Sequence, residues 1–149
     1  METIAENIRE VINNSREELL KIDEETASAK PSISSWSKKE ILGHLIDSAS
    51  NNHQRIVRAA QNIALDFPTY NQNKWVDIQQ YNLCEWQNLI NLFYLYNLHI
   101  SHIISSLQPE SLNNLINIGK DQPVTLEFVV TDYLRHLKHH IEKILTQKI

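Results

Sequence analysis

Apolar residues recur every three or four positions in the first half of the chain, which is the spacing of amphipathic helices. A first helix is predicted over about residues 2–28, ending before Pro31. A second helix is predicted from 38 to about 64. Ser37 precedes this second helix and Glu40 lies three residues further on, so the two side chains can form a capping box at its start.

The second half of the chain continues the helical pattern. A third helix is predicted over about 82–107, and because it is apolar around much of its circumference we expect it to be the most buried helix. A fourth helix is predicted over about 126–147, with Thr125 as its cap. The connections of about 66–81 and 108–124 are predicted to be loops, and no segment shows the alternating pattern of a strand.

The composition favours one helical domain. The 149 residues are 42% hydrophobic and 21% charged and include two Gly and four Pro. This profile is unlike that of disordered or collagen-like chains, and scarce glycine and proline favour long helices. We therefore predict a single all-α domain over residues 1–149, arranged as a four-helix bundle.

Charge and hydropathy argue against several functional classes. The formal net charge is −4, whereas a nucleic-acid surface draws its affinity from clustered lysine and arginine. No stretch of the sequence approaches the ~20 apolar residues that span a bilayer, and the charged N-terminus differs from a secretory signal. A single cysteine, Cys84, cannot form an intramolecular disulfide. A cytoplasmic protein without nucleic-acid or membrane partners is expected.

The seven histidines are the most informative chemical feature of the sequence. On a helical wheel of the fourth helix, His140 lies within about 70° of the centre of the apolar stripe and His136 at about 110°, on the same edge. The two are one turn apart, so their rings can converge on one ion. His139 points to nearly the opposite side. A lone H-x-x-x-H pattern is loose, and structural histidines are the commoner alternative.

His44 is the candidate third ligand. It falls on the edge of the apolar stripe of the second helix, about 120° from its centre. It lies seven residues after Ser37, and His140 lies seven residues before Gln147, so each is about 10 Å from its helix end. If the second and fourth helices are antiparallel neighbours, the two depths coincide. His53 is about 13 Å further along the axis, too far to join.

Three assignments stay open at this point. His99 and His102 also have a helical pair spacing, and they reach the level of His44 only if the second and third helices are antiparallel. A long connection that crosses the bundle makes these helices parallel and moves His99 away. Cys84 lies at the predicted start of the third helix, where its thiol pKa could be lowered, although a lone cysteine is more often inert.

Two segments resemble the signature of the DinB-like, or YfiT-like, family of metal-dependent hydrolases. Residues 36–48, WSKKEILGHLIDS, resemble the family's second helix. Residues 133–144, YLRHLKHHIEKI, resemble its last helix, in which the first and fifth positions of H-x-x-H-H supply metal ligands. Tyr70, Trp75 and Tyr81 are similar to the family's connection between the second and third helices. The resemblance covers nearly the whole chain and preserves motif order.

The resemblance implies a four-helix bundle with up-down-down-up topology and one divalent ion held by three histidines, often in a homodimer. Transferred to this sequence, the ligands are His44, His136 and His140, with water completing the coordination. A metal-dependent hydrolase acting on a small-molecule substrate is the first hypothesis. Because related members resemble S-transferases that use low-molecular-weight thiols such as bacillithiol, a thiol transferase is the second. A non-catalytic, metal-stabilised stress or binding protein is the third.

Three neutral imidazoles leave a coordination position open, as catalytic sites do, and a bound zinc can lower the pKa of water to ~7. All-nitrogen ligation favours zinc or nickel. Asp47, three residues after His44 and about 60° away on the wheel, is the candidate catalytic residue. It could orient a ligand ring or accept a proton. The alternative, a solvated surface carboxylate, is equally compatible with the sequence.

Overall fold

The computed structural model describes residues 1–61 and 65–148. Four long helices form the bundle, and shorter elements fill the connections between them. The long helices are α1 (Glu2–Leu19), α3 (Lys38–Ala60), α5 (Trp86–Ser105) and α6 (Leu126–Thr146). The short ones are α2 (Glu24–Ser28), α4 (Gln72–Gln79) and the 3₁₀ turns Tyr81–Leu83 and Pro109–Asn113.

The predicted helix starts are confirmed at α3 and α6. The Ser37 hydroxyl accepts a hydrogen bond from the backbone N–H of Glu40, and the Glu40 carboxylate accepts one from the N–H of Ser37, which completes the capping box. The Thr125 hydroxyl accepts from the N–H of Phe128. These bonds satisfy backbone donors that the first turn of a helix leaves without partners, and so they fix where each helix begins.

Contacts between helix ends establish the direction of α5. The indole N–H of Trp86, at the start of α5, donates to the carbonyl of Leu19, at the end of α1, so these two helices are antiparallel. At the start of α3, the Ser37 hydroxyl donates to Asn82, and farther along His53 lies 3.3 Å from the Tyr96 hydroxyl. The helices α3 and α5 therefore run parallel, which requires a connection that returns along the bundle.

The contacts of α6 complete the topology. Lys38, at the start of α3, reaches the carbonyl of Ile144 at the end of α6, while Ser48 lies beside His136 farther back. The two helices are therefore antiparallel. In chain order the four long helices run up, down, down and up, which confirms the predicted all-α bundle and its topology. None of the helices in the described ranges is long and apolar enough to cross a membrane.

Two predictions about secondary structure are wrong. The first predicted helix is broken after Leu19, because Asp23 accepts a hydrogen bond from the N–H of Thr26 and caps the separate helix α2. The chain also contains a three-stranded sheet. Strand β1 (Leu65–Asp66) pairs in parallel with β2 (Leu115–Asn117), which pairs antiparallel with β3 (Val124–Thr125). Strands of two or three residues are too short to show an alternating pattern.

The boundaries of the second and third predicted helices also differ from the structure. The helix α3 ends at Ala60, and the predicted continuation to 64 falls on residues 62–64, outside the described ranges. The helix α5 begins at Trp86, so Cys84 precedes it and the expected placement of the thiol in the first turn is wrong. The connection predicted as a loop over 66–81 contains the helix α4.

The most buried helix is α3 and not α5, contrary to the prediction. Buried residues number 15 of 23 in α3 and 8 of 20 in α5. The reason is that α3 contacts α5 and α6 along its length and is also covered at its start by α2, α4 and the Tyr81–Leu83 turn. Polar side chains near the start of α3 are therefore enclosed by protein, which sets their chemistry.

Candidate metal centre

Three histidine rings converge between α3 and α6. His44 projects from α3, and His136 and His140 project from adjacent turns of α6. One ring nitrogen of each lies within 4.8 Å of the others, and the Nε2 atoms of His44 and His136 are 3.2 Å apart. The structure thus brings together the three residues predicted as ligands. Antiparallel packing gives them the same depth in the bundle.

The other histidines are not part of the cluster. His139 is exposed, as the wheel predicts, although its ring centroid lies 5.0 Å from that of His140. His53 is next to His99, with ring centroids 5.2 Å apart, on the side of the bundle where α3 meets α5. His102 is exposed farther along α5. Within residues 1–61 and 65–148, the three-histidine cluster is the only group of three or more potential metal-binding side chains.

Burial keeps the cluster neutral. His44 is 1% exposed. Burial, together with charge repulsion from nearby histidines, lowers the pKa of His44 to about 4 and that of His140 to about 3. Burial also lowers the pKa of His136. Neutral imidazole is the form that binds metal ions, so all three rings have free lone pairs available at neutral pH.

The donor set fits a divalent transition metal. The Nδ1 atoms of His44 and His140 are buried and have no hydrogen-bond partner within the described residues. Buried polar atoms normally have partners, so their absence indicates that the site is built for a group other than protein. Three imidazole nitrogens suit zinc, nickel, copper or iron, whereas calcium and magnesium prefer oxygen ligands.

Neighbouring side chains restrict the rings. The Ser48 hydroxyl lies 3.4 Å from Nδ1 of His136, and the Trp36 ring lies 5.2 Å from the ring of His44. Ser48 was not identified from the sequence, although its position one turn after His44 places it on the same side of α3. A contact to the second ring nitrogen helps to orient a metal-binding histidine.

Asp47 belongs to a separate hydrogen-bond network. It is 2% exposed, and its Oδ1 accepts from the Tyr81 hydroxyl and from Gln79 Nε2, each at 2.6 Å. Its Oδ2 is buried without a partner in the described part of the chain. Burial raises the pKa of this carboxyl, although both hydrogen bonds oppose the shift. No hydrogen bond joins Asp47 to a histidine in that part, so ring orientation by this residue has no support.

Gly43 makes the Tyr81 contact possible. A Cβ atom at this position would lie 2.1 Å from Cδ2 of Tyr81, far inside van der Waals contact. The missing side chain lets the ring of Tyr81 lie flat across α3, one residue before His44, so that its hydroxyl reaches Asp47. The sequence marks this position only as a glycine inside a predicted helix, where glycine costs stability and therefore indicates a close contact.

Lys38 anchors the end of α6 next to the cluster. The side chain is 4% exposed, and its ammonium group donates to the carbonyl oxygens of Ile144 and Gln147. The last carbonyls of a helix have no partners within the helix and carry its negative dipole end, so a lysine there stabilises them. This contact holds the turn after His140 against the start of the helix that carries His44.

Comparison with known proteins identifies relatives of the same fold. The model of the DinB superfamily matches residues 7–144. A Bacillus subtilis protein, YfiT, described as a probable metal-dependent hydrolase with an unusual four-helix bundle topology, superposes with a TM-score of 0.84 at 15% identity, covering 97% of this chain and 82% of that one. No curated protein matches the sequence.

A mycothiol-dependent maleylpyruvate isomerase has the same fold as this chain. It superposes with a TM-score of 0.78 at 11% identity, and a mutant of that enzyme gives the same score at 10% identity. In both cases the match covers 96% of this chain but only 60% of the isomerase chain, which is the longer of the two. At these identities the likeness establishes the fold.

Proposed function

This chain belongs to the DinB superfamily, and from that premise we propose that it is a metal-dependent hydrolase of a small-molecule substrate, with one divalent ion held by His44, His136 and His140. The observation that supports this most directly is the convergence of three neutral ring nitrogens within 4.8 Å. Three protein ligands leave a position for water or substrate, which distinguishes catalytic from closed structural sites. Zinc or nickel fits the all-nitrogen ligand set.

The residues of the chain have distinct roles in this proposal. When bound, the ion acidifies water and polarises a carbonyl group. Asp47 is the proposed proton acceptor, because its buried Oδ2 has no partner in the described residues and its raised pKa brings the carboxyl closer to neutral pH. Tyr81 and Gln79 hold its other oxygen in place. Trp36 packs beside His44 and restricts the access of solvent.

A thiol-dependent transferase is the second candidate. Its support is the fold shared with the mycothiol-dependent isomerase. In this chain, His44, His136 and His140 would again hold the metal. A metal held there would supply a positive charge that favours the thiolate form of a low-molecular-weight thiol, the form that reacts with electrophiles. A non-catalytic, metal-stabilised protein is the third candidate. The homodimer and the cytoplasmic location stay predictions of the sequence.

The test separates the three candidates with one metal-loaded preparation and one chelated preparation. Each is offered a panel of amides and esters, and separately monochlorobimane with bacillithiol or mycothiol. Metal-dependent release of acid supports the hydrolase, and metal-dependent loss of free thiol supports the transferase. If both assays are silent while chelation lowers the melting temperature, the enzymatic proposal is wrong and the structural role is supported.

A further inference from the structure

A small cavity next to the histidine cluster contains an arginine that the metal site does not use. The cavity has a volume of about 120 Å³ and is lined at one end by His136 and Ser48. Ser48, Asn52 and Arg55 follow one another at intervals of four and three residues, so they lie on one face of α3. The cavity therefore extends along α3 from the histidine cluster to Arg55.

Arg55 is an incompletely paired cation. Its Nε atom is buried without a hydrogen-bond partner, and the guanidinium forms no ion pair with a carboxylate, among residues 1–61 and 65–148. Its Cζ atom lies 5.2 Å from the centre of the Phe67 ring. Arg55 is half-buried, and burial lowers its pKa although the nearby Tyr70 and Asp132 oppose the shift. An anion bound at the guanidinium therefore offsets the cost of this partial burial.

The acidic residue of the cavity is already engaged. Asp132 lines the same space, but its Oδ1 accepts two hydrogen bonds from Arg135, at 2.7 and 3.0 Å. Tyr70 also lines the cavity. The planar guanidinium of Arg55, whose buried Nε has no partner in the described residues, matches the geometry of a carboxylate, which accepts two parallel N–H bonds. A volume of about 120 Å³ admits a group of only a few heavy atoms.

We propose that Arg55 determines specificity by binding a carboxylate group of the substrate, whose reacting group then lies at the three histidines. The reaction at the histidines rests on the proposed function, whereas binding of a carboxylate by Arg55 does not. The substrate class is a small molecule with a carboxylate at one end and the bond to be attacked at the other. A remote charge bound in this way lowers the cost of orienting the reacting group.

The first test measures binding of propionate as a probe, by titration calorimetry or ligand-observed NMR. Wild type is compared with Arg55→Met, Arg55→Lys and the matched control Arg58→Met, which removes an exposed arginine from the same helix. We expect Arg55→Met to lower the affinity for propionate by about tenfold or more and Arg55→Lys to lower it less. Arg58→Met should leave the affinity unchanged. Circular dichroism melts verify that each variant folds.

Running the titration on metal-loaded and on chelated protein separates this inference from the proposed function. If propionate binding depends on Arg55 in both preparations, the carboxylate site at Arg55 is supported, whether or not the protein has metal-dependent catalytic activity. Unchanged propionate binding in Arg55→Met, or no binding to wild type, overturns the inference and leaves the metal site untouched. Tighter competition by inorganic phosphate than by propionate overturns the assignment to a carboxylate. Metal content is expected to stay the same in all variants.

The second test applies to any substrate found active in the hydrolase panel. Two versions of that substrate are compared. One has a free carboxylate at the end remote from the reacting bond, and in the other this carboxylate is replaced by a neutral amide or methyl ester. Arg55→Met should lower kcat/KM for the acid by about tenfold or more and leave the neutral analogue nearly unchanged, because only the acid loses a charged contact. A merely structural role of Arg55 predicts an equal loss for both compounds, and that outcome would overturn the proposal.

Discussion

The helix α3 carries two histidine clusters that differ in almost every physical respect. Near its start, His44 meets His136 and His140 from the antiparallel helix α6. Two to three turns later, His53 meets His99 from the parallel helix α5, with ring centroids 5.2 Å apart and planes nearly perpendicular at 88°. In the first cluster His44 is buried and His136 and His140 are half-buried, whereas in the second His53 is half-buried and His99 is exposed. We call them the inner and the outer cluster.

From this difference we expect convergence and burial, and not histidine spacing alone, to distinguish a metal site. The inner cluster offers three ring nitrogens, and burial lowers the pKa of two of its members to about 4 and about 3. The outer cluster offers two, and His53 has the Tyr96 hydroxyl 3.3 Å away as an alternative partner. Two histidines at a position open to water bind a divalent ion more weakly than three converging histidines do.

The largest expected effect is on bound metal. His44→Ala, His136→Ala and His140→Ala should each weaken zinc or nickel affinity by more than about 100-fold, since each removes one of only three ligands. Elemental analysis of the purified proteins and competition with a chromophoric chelator measure this. The matched controls are His53→Ala and His99→Ala from the outer cluster and the exposed His139→Ala, which should retain the metal content of wild type.

Three outcomes would contradict this prediction. Equal metal content in all six variants would show that the inner triad is not the metal site. Loss of metal in the His53→Ala or His99→Ala variants would place the ion in the outer cluster. Loss in the His139→Ala variant alone would mean that α6 is rotated about its axis relative to the described structure.

The convergence of the three histidines could be predicted from the sequence because their positions follow from helix geometry. His136 and His140 are four residues apart, so they share an edge of any helix, and His44 has the matching distance to its helix cap. The roles of His99 and His102 could not be found in this way. They depend on whether α5 runs parallel to α3, which is decided by a connection whose path the periodicity does not describe.

The parts of the site that were missed depend on tertiary contacts between distant segments. Asp47 accepts from Tyr81, 34 residues later, and this is possible only because Gly43 leaves room for the ring. The short sheet and the break between α1 and α2 were missed for a related reason. A strand of two residues or a single capping aspartate leaves a local signal too weak to outweigh the helical pattern around it.

The second prediction concerns acid stability of the metal-free protein. An ordinary histidine, with a pKa near 6.5, is protonated in the unfolded chain below that pH, whereas His44 stays neutral in the folded protein down to about 4. The unfolded state therefore takes up protons first, and the free energy of unfolding should fall as the pH drops from about 6.5 to about 4. We expect a loss on the order of 3 kcal/mol from His44 alone.

Urea unfolding at a series of pH values, with chelator present, measures this loss. His44→Gln and His140→Gln should flatten the dependence on pH, whereas His139→Gln should flatten it much less, because this exposed ring only adds charge repulsion to His136 and His140. Burial also lowers the pKa of His53, so His53→Gln is expected to flatten the curve slightly. A larger effect from His53→Gln than from His44→Gln would reverse the comparison of the two clusters.

The third prediction tests how the inner cluster is anchored. Lys38→Met removes the donor to the carbonyls of Ile144 and Gln147, and this loss lowers stability. It also removes a buried charge, whose pKa is lowered by burial, and this gain partly offsets the loss. The net loss should be about 1 kcal/mol. Lys138→Met, on the exposed side of α6, is the control and should change stability by less than about 0.5 kcal/mol.

The smallest effect is expected from the contacts that orient single rings. The Ser48 hydroxyl lies 3.4 Å from Nδ1 of His136, a long contact, so Ser48→Ala should weaken metal affinity only about threefold. Tyr96→Phe removes the corresponding hydroxyl beside His53 and should not change metal affinity at all. Chelator competition on both variants resolves a threefold difference. If Tyr96→Phe lowers metal affinity as much as Ser48→Ala does, the loss comes from a general change in the helix bundle. The contact from Ser48 to His136 then has no specific role.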